Sequence, residues 1–177
     1  MTELPAKILA EGKFLRLIAK GHWEYADRTQ ASGAVTIVAV TPENKLVLVE
    51  QYRIPLGRNA IELPAGLSGD IPGEEHEALQ TAAERELLEE TGYTAAEWQW
   101  LTGGPSSAGL STELITFFLA RGLTKVHAGG GDDHENIIVH EIPLAEVPAW
   151  LARRHAEHVA IDPKVYAGLY FAGDCRS

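Results

Sequence analysis

The chain has 177 residues, 45% hydrophobic and 23% charged, a balance that suits one ordinary globular domain and excludes long intrinsic disorder. Fifteen Lys and Arg against twenty-five Asp and Glu leave a net charge of −10, which removes the broad basic face that a nucleic-acid partner needs. Cys175 is the only cysteine, residues 1–20 hold no continuous apolar core of a signal peptide, and the most apolar run, 34–40, is too short to span a bilayer. A cytoplasmic protein is expected, with neither nucleic acid nor membrane as partner.

Residues 14–19 alternate and predict a strand, with a second over 23–26 and Gly21 at the turn. Ser32-Gly33 then breaks the chain, so 1–32 is expected to form a small antiparallel β appendage and 33–177 the main domain. The Val- and Ile-rich runs 34–40 and 46–52 flank Pro42-Glu43-Asn44 and predict a hairpin. A short strand over 60–63 stops at Pro64, and 67–75 reads as a loop. Apolar residues recur at helical spacing over 76–91, and Gly92 stands where a C′ glycine belongs. Strands are predicted at 98–101, 114–120 and 136–142, and a helix at 144–154. A last helix opens at Asp162-Pro163 and runs to about residue 172. The order indicates an α/β fold of the α+β type.

The helix over 76–91 carries the chemistry. Between residues 74 and 90 stand seven glutamates (74, 75, 77, 84, 86, 89 and 90) and a single base, Arg85. Glu86 and Glu90 lie one turn apart, about 40° around the axis. Like charges at this spacing cost a helix about 0.2–0.5 kcal/mol per pair, and the macrodipole disfavours anions in the last turn. Arg85 can relieve Glu89 at i,i+4, whereas Glu86 and Glu90 have no basic partner nearby in sequence. Oxygen ligands crowded this way suit hard cations such as Mg²⁺ or Mn²⁺; a solvated acidic face is the alternative reading of composition alone.

The order of residues is sharper than the composition. Arg85-Glu86-Leu87-Leu88-Glu89-Glu90-Thr91-Gly92-Tyr93, with Glu77 eight residues earlier, resembles the Nudix box, E-x7-R-E-U-x-E-E-x-G-U with U aliphatic or aromatic. One part departs. The box begins G-x5-E, yet position 71 is Ile and the nearest suitable glycine is Gly66, so five extra residues enter at about 67–71.

The resemblance implies a Nudix β-α-β sandwich that hydrolyses a nucleoside diphosphate linked to another group with Mg²⁺ or Mn²⁺. It makes Glu86 and Glu90 the main metal ligands. Glu89 ligates or positions a metal or water, and the Ala65 carbonyl adds a ligand. Gly66, Glu77, Arg85 and Gly92 become structural members of the box. Trp23-Glu24-Tyr25, Arg28, Val49-Glu50-Gln51-Tyr52-Arg53 and Glu62-Leu63-Pro64-Ala65-Gly66 are similar to the ADP-ribose and nucleoside diphosphate sugar pyrophosphatases. That subfamily's S-P-G-x-S-x-E reads here Ser107-Ala108-Gly109-Leu110-Ser111-Thr112-Glu113. The missing proline points to a broad sugar-nucleotide range, with Glu62 and Glu113 among the substrate-binding candidates.

In the resembling enzymes a mobile loop past the box brings the general base and another metal ligand. Glu135, and after it Asp133, are the candidates here; Gly129-Gly130-Gly131 permits large backbone changes, or forms a plain polar turn. Arg28 and Arg53 are candidates for phosphate contacts, or for surface ion pairs. Trp23 and Tyr25 stack on the base, or pack as strand residues. The subfamily commonly exchanges its N-terminal strands across a homodimer, in which Trp23, Tyr25 and Arg28 would serve the neighbouring subunit. The expected activity is metal-dependent splitting of ADP-ribose or a nucleoside diphosphate sugar into a nucleoside monophosphate and a sugar phosphate. The alternatives are another nucleoside diphosphate derivative, such as a dinucleoside polyphosphate, and a non-catalytic nucleotide-sugar sensor.

Overall fold

Val, Ile and Leu fill the middle of the chain in runs too short for helices, and strands dominate accordingly. The structure, a computed structural model, describes residues 4–29, 31, 33–71, 73, 75–131 and 136–174. Strands β1 (Ala6–Glu11), β2 (Leu15–Lys20) and β3 (Trp23–Arg28) form an antiparallel meander. Two four-stranded sheets follow. One has the order β7 (Ala65–Ser68), β4 (Gly33–Ala39), β9 (Leu114–Lys125), β8 (Tyr93–Pro105). The other has the order β10 (Ile138–Pro143), β5 (Lys45–Arg53), β6 (Arg58–Glu62), β11 (Ala160–Ile161).

The hairpin expected from 34–40 and 46–52 does not form as a ladder. A single bridge, Val40 to Leu46, joins the two runs, and they enter different sheets. Both edges of β4 are taken, by β7 antiparallel and β9 parallel, and both edges of β5 by β10 and β6. A strand with no free edge cannot also pair with its sequence neighbour.

Both faces of β4 are buried. Val35, Ile37 and Ala39 share one cluster with Ala82, Ala83 and Leu87 of α1 (Leu79–Thr91). Val38 shares the other with Leu151 of α2 (Val147–Ala156) and Val165 of α3 (Pro163–Asp174). Helices therefore cover the strands on both sides. The alanines let α1 lie close to β4, and burial of Leu87 contributes about 2 kcal/mol. Helix α1 starts at Leu79 rather than 76 because Glu77 is used before the helix begins: its carbonyl accepts the Ser68 hydroxyl at 2.8 Å and its carboxylate meets Arg85. The N-terminal meander joins the rest through β3, where Ala26 donates to the Leu110 carbonyl and accepts from Thr112.

A buried polar network ties β5, β6, β10 and α2 together. Glu50, 3% exposed, accepts from Asn59 at 3.0 Å and from the Arg154 guanidinium at 2.7 and 2.8 Å, and meets His140 at 2.9 Å. Burial pushes the Glu50 carboxyl up, but these partners outweigh it and hold it below the usual carboxylate range. Removing one partner of a buried pair leaves an uncompensated charge. Arg154→Leu is expected to cost about 2 kcal/mol in urea unfolding, less than a fully buried pair because Asn59 and His140 remain; a loss below about 0.5 kcal/mol would show the network to be idle.

Candidate active site

The last two turns of α1 carry Glu86, Glu89 and Glu90, and β7 runs beside them. Arg28, Arg53, Glu62, Ala65, Gly66, Asp70, Glu86, Glu90, Glu113 and Lys164 all line one cavity of about 460 Å³. Glu90 is 3% exposed and accepts the Ala65 N–H at 3.0 Å. Gly66 lies flat against Glu86: a Cβ built on it would sit 1.9 Å from the Glu86 carboxyl carbon. The extra residues of the loop thus leave Gly66 against the helix, as a box glycine requires. Strand β7 ends at Ser68, within the stretch 67–71 where the sequence places the extra residues.

Arg85 braces the box. It reaches Glu77 at 3.3 Å, the Leu67 carbonyl at 2.9 Å, Glu86 at 2.8 Å and Glu89 at 3.3 Å. Glu89 is half exposed and is not part of the cavity wall. Burial drives the Glu86 carboxyl up to about 7, although the Arg85 guanidinium beside it pulls the other way. Among the described residues no three carboxylate, His or Cys side chains are gathered at ligating distance. The donor set nevertheless fits a hard cation. It is all oxygen, it includes the half-buried Glu86 carboxyl, whose burial outweighs the pull of Arg85, and the glycine beneath it leaves that carboxylate room.

Of the two roles the sequence left open for the arginines, each makes the ion pair. Arg28 Nε donates to Glu113 at 2.6 Å and Arg53 Nε to Glu62 at 2.7 Å. These are ion pairs, but in the cavity wall, with the carboxylate on the Nε edge of each guanidinium. Trp23 is 53% exposed and, like Tyr25, lies outside the cavity wall of its own chain. Arg28 sits in its own chain's cavity.

The triple glycine is pinned. The Gly130 N–H donates to the Glu90 carbonyl at 2.9 Å and the Gly131 N–H to that of Glu89 at 3.1 Å, with positive φ at Gly129, Gly130 and Gly131. A Cβ on Gly129 would come within 2.5 Å of the Thr91 carbonyl carbon. Gly129 serves close approach to the helix end, where Gly92, at φ 72°, donates to the Leu88 carbonyl at 2.8 Å. Asp133 and Glu135 lie outside the described residues.

Lys164 and Asp70 in the cavity wall escaped the sequence reading. Lys164 stands in the first turn of α3 and pairs with Asp162. It also borders a second cavity of about 500 Å³, with Phe117, Thr102 and Asp162. The Asp162-Pro163 helix start was the only sign of it in the sequence.

The NUDIX domain model matches residues 31–165. The chain belongs to the Nudix family. It is 39% identical over 123 residues to the methanol dehydrogenase activator of Bacillus methanolicus, covering 69% of this chain and 64% of that one. It is 38% identical over 115 residues to the ADP-ribose pyrophosphatase of Bacillus subtilis strain 168, covering 64% and 60%. It is 32% identical over 127 residues to the GDP-mannose pyrophosphatase of Citrobacter koseri, covering 69% and 65%. The chain thus spans about three-fifths to two-thirds of the length of these curated relatives. A solved structure of an ADP compounds hydrolase superposes with a TM-score of 0.74 at 19% identity, over 98% of this chain and 92% of that one, which shows a shared fold. Among the described residues no helix is long and apolar enough to cross a membrane.

Proposed function

We propose that this Nudix chain is a divalent-cation-dependent pyrophosphatase acting on ADP-ribose or a nucleoside diphosphate sugar. The observation that carries the reading is the shared cavity of Glu86, Glu90, Arg28, Arg53 and Lys164. It sets carboxylates for cations beside bases for phosphates. The named activities of the Bacillus subtilis and Citrobacter koseri relatives support it.

Glu86 and Glu90 hold the cation, with Glu89 and the Ala65 carbonyl completing or orienting the set. A divalent ion, Mg²⁺ or Mn²⁺, supplies charge neutralisation to the diphosphate and acidity to a water. Arg28, Arg53 and Lys164 bind phosphate oxygens, Glu113 and Glu62 orienting the guanidiniums through Nε. Water adds across the diphosphate: its oxygen bonds to one phosphorus, the bridging P–O bond breaks, and its proton passes to a base, Glu135 ahead of Asp133. The products are a nucleoside monophosphate and a sugar phosphate. The second cavity, bordered by Lys164, gives room for one half of the substrate. Turnover of ADP-ribose, ADP-glucose, GDP-mannose and UDP-glucose with Mg²⁺, and its loss in EDTA, tests the reading; no turnover of any of the four would overturn it.

We read residues 1–32 as an appendage that dimerises the 33–177 domain by strand exchange, bringing Trp23 and Tyr25 to the partner's site. Exposed Ile8, Phe14 and Leu15 on β1, β2 and their connecting turn support this, and sedimentation of a monomer would contradict it. Glu135→Gln is expected to lower kcat more than Asp133→Asn; the reverse order hands the base role to Asp133.

Cation uptake is also expected to depend on pH. The Glu86 carboxyl, raised from 4.5 to about 7, favours the fold while protonated, and that contribution is lost as pH rises through about 7. A cation needs the ionised form, so its affinity moves the other way. Calorimetry should show Mg²⁺ affinity falling from about pH 8 to about pH 6, with proton release that Glu86→Gln removes. A flat profile would separate Glu86 from the cation.

A further inference from the structure

Arg28 and Glu113 meet in the cavity wall from distant parts of the chain. Arg28 is the last residue of β3, and Glu113 closes the stretch 106–113 that joins β8 to β9. The two segments run side by side in parallel, with a lone bridge between Ala26 and Ser111. The Ala26 N–H donates to the Leu110 carbonyl at 2.8 Å, and the Thr112 N–H donates to the Ala26 carbonyl at 3.1 Å. Among the described residues their backbone bonding stops there, short of Arg28.

A side-chain bond spans the gap. The Thr112 hydroxyl donates to Oδ1 of Asp27, whose Oδ2 accepts from Arg16 Nε at 2.8 Å. Arg16 stands opposite Asp27 in the β2–β3 ladder. The Thr112 bond above all, against the cost of burial and with the help of Arg16, holds the Asp27 carboxyl below the usual carboxylate range. The acceptor is therefore ionised at neutral pH.

Successive residues of a strand face opposite sides. Arg28 ties β3 to 106–113 on the side of the cavity, and Asp27 ties them on the other side. Neither Asp27 nor Thr112 belongs to the cavity wall. Ties on both faces stop one segment rolling against the other, and a roll is what would swing the Arg28 guanidinium away from the cavity.

We propose that Asp27 and Thr112 are positioning residues whose bond fixes the end of β3 against 106–113 and so aims the Arg28 guanidinium at the substrate's phosphates. This rests on the reading of Arg28 as a phosphate contact. Such a contact serves substrate and transition state alike, so losing its aim raises KM and spares kcat.

Thr112 is exposed, so Thr112→Val removes the hydroxyl without disturbing the core. With Mg²⁺, its KM for ADP-ribose should rise about three- to tenfold at nearly unchanged kcat, the range of one solvent-facing hydrogen bond to a charged group. Thr112→Ser should restore most of the loss. In an Arg28→Ala background Thr112→Val should add nothing further, because it acts through the guanidinium that is gone. Exchange of the Arg28 Nε–H with water, followed by nitrogen-15 NMR without substrate, gives a readout independent of turnover. It should be slow in the wild type and Thr112→Ser and about threefold or more faster in Thr112→Val. An unchanged KM in Thr112→Val, additive losses in the double variant, or an unchanged Arg28 exchange rate would each overturn the proposal. A KM that Arg28→Ala leaves unmoved would instead overturn the phosphate role of Arg28, and the exchange rates would still decide whether Thr112 holds it.

Discussion

Glu90→Gln is expected to lower kcat by about a thousandfold or more and to leave the fold in place. The side chain is 3% exposed and its Oε2 accepts the Ala65 N–H at 3.0 Å. Glutamine has the same shape, and its amide oxygen can keep that bond, so the tie between β7 and α1 survives. What disappears is a negative charge in a cavity already holding three bases. Several kcal/mol of charge stabilisation depend on a cation being held there, and each 1.36 kcal/mol is a factor of ten in rate. Glu89→Gln should cost far less, about tenfold, because Glu89 is half exposed and stands outside the cavity wall. Steady-state turnover with Mg²⁺, beside thermal unfolding of each variant, checks both. Near-wild-type turnover in Glu90→Gln would remove Glu90 from the cation site.

The box was legible because it is local. Spacing along one helix places Glu86 and Glu90 on one face whatever the rest of the chain does, and Gly92 ends that helix by its own backbone preference. The partners that complete the cavity follow no such rule. Arg28 meets Glu113 across 85 residues, and Lys164 arrives on a helix whose N-terminal cap gives no hint of what it faces. Strand pairing was misread for the same reason. Runs 34–40 and 46–52 look like a hairpin to any local rule, and only the claims of β7, β9, β10 and β6 on their edges separate them. Strand β1 is exposed along its length, so it carries no buried alternation to mark it. Gly129-Gly130-Gly131 shows what residue types alone leave open. Their freedom at positive φ is used to bring backbone N–H groups onto the Glu89 and Glu90 carbonyls.

Gly66→Ala is the most discriminating single change at this site. A methyl group there would stand 1.9 Å from Cδ and 2.0 Å from Oε1 of Glu86. Such an overlap is intolerable, yet the atoms in the way are the tip of a flexible side chain, which can swing aside. The β4–β7 ladder, in which Gly66 pairs with Val35, keeps its backbone bonds, and alanine is no worse than glycine in a strand. Stability should therefore change by less than about 1 kcal/mol. The displaced carboxylate, however, is the one that has to meet the cation, and misplacement of a reacting group by about 1 Å costs on the order of a hundredfold. We expect kcat to fall by about a hundredfold to a thousandfold, Mn²⁺ affinity to fall with it, and the melting temperature to stay within a few degrees. Loss of folding would make Gly66 a structural glycine. Full activity with an intact fold would mean that Glu86 binds its cation from a different rotamer, with the cavity wall rearranged around it.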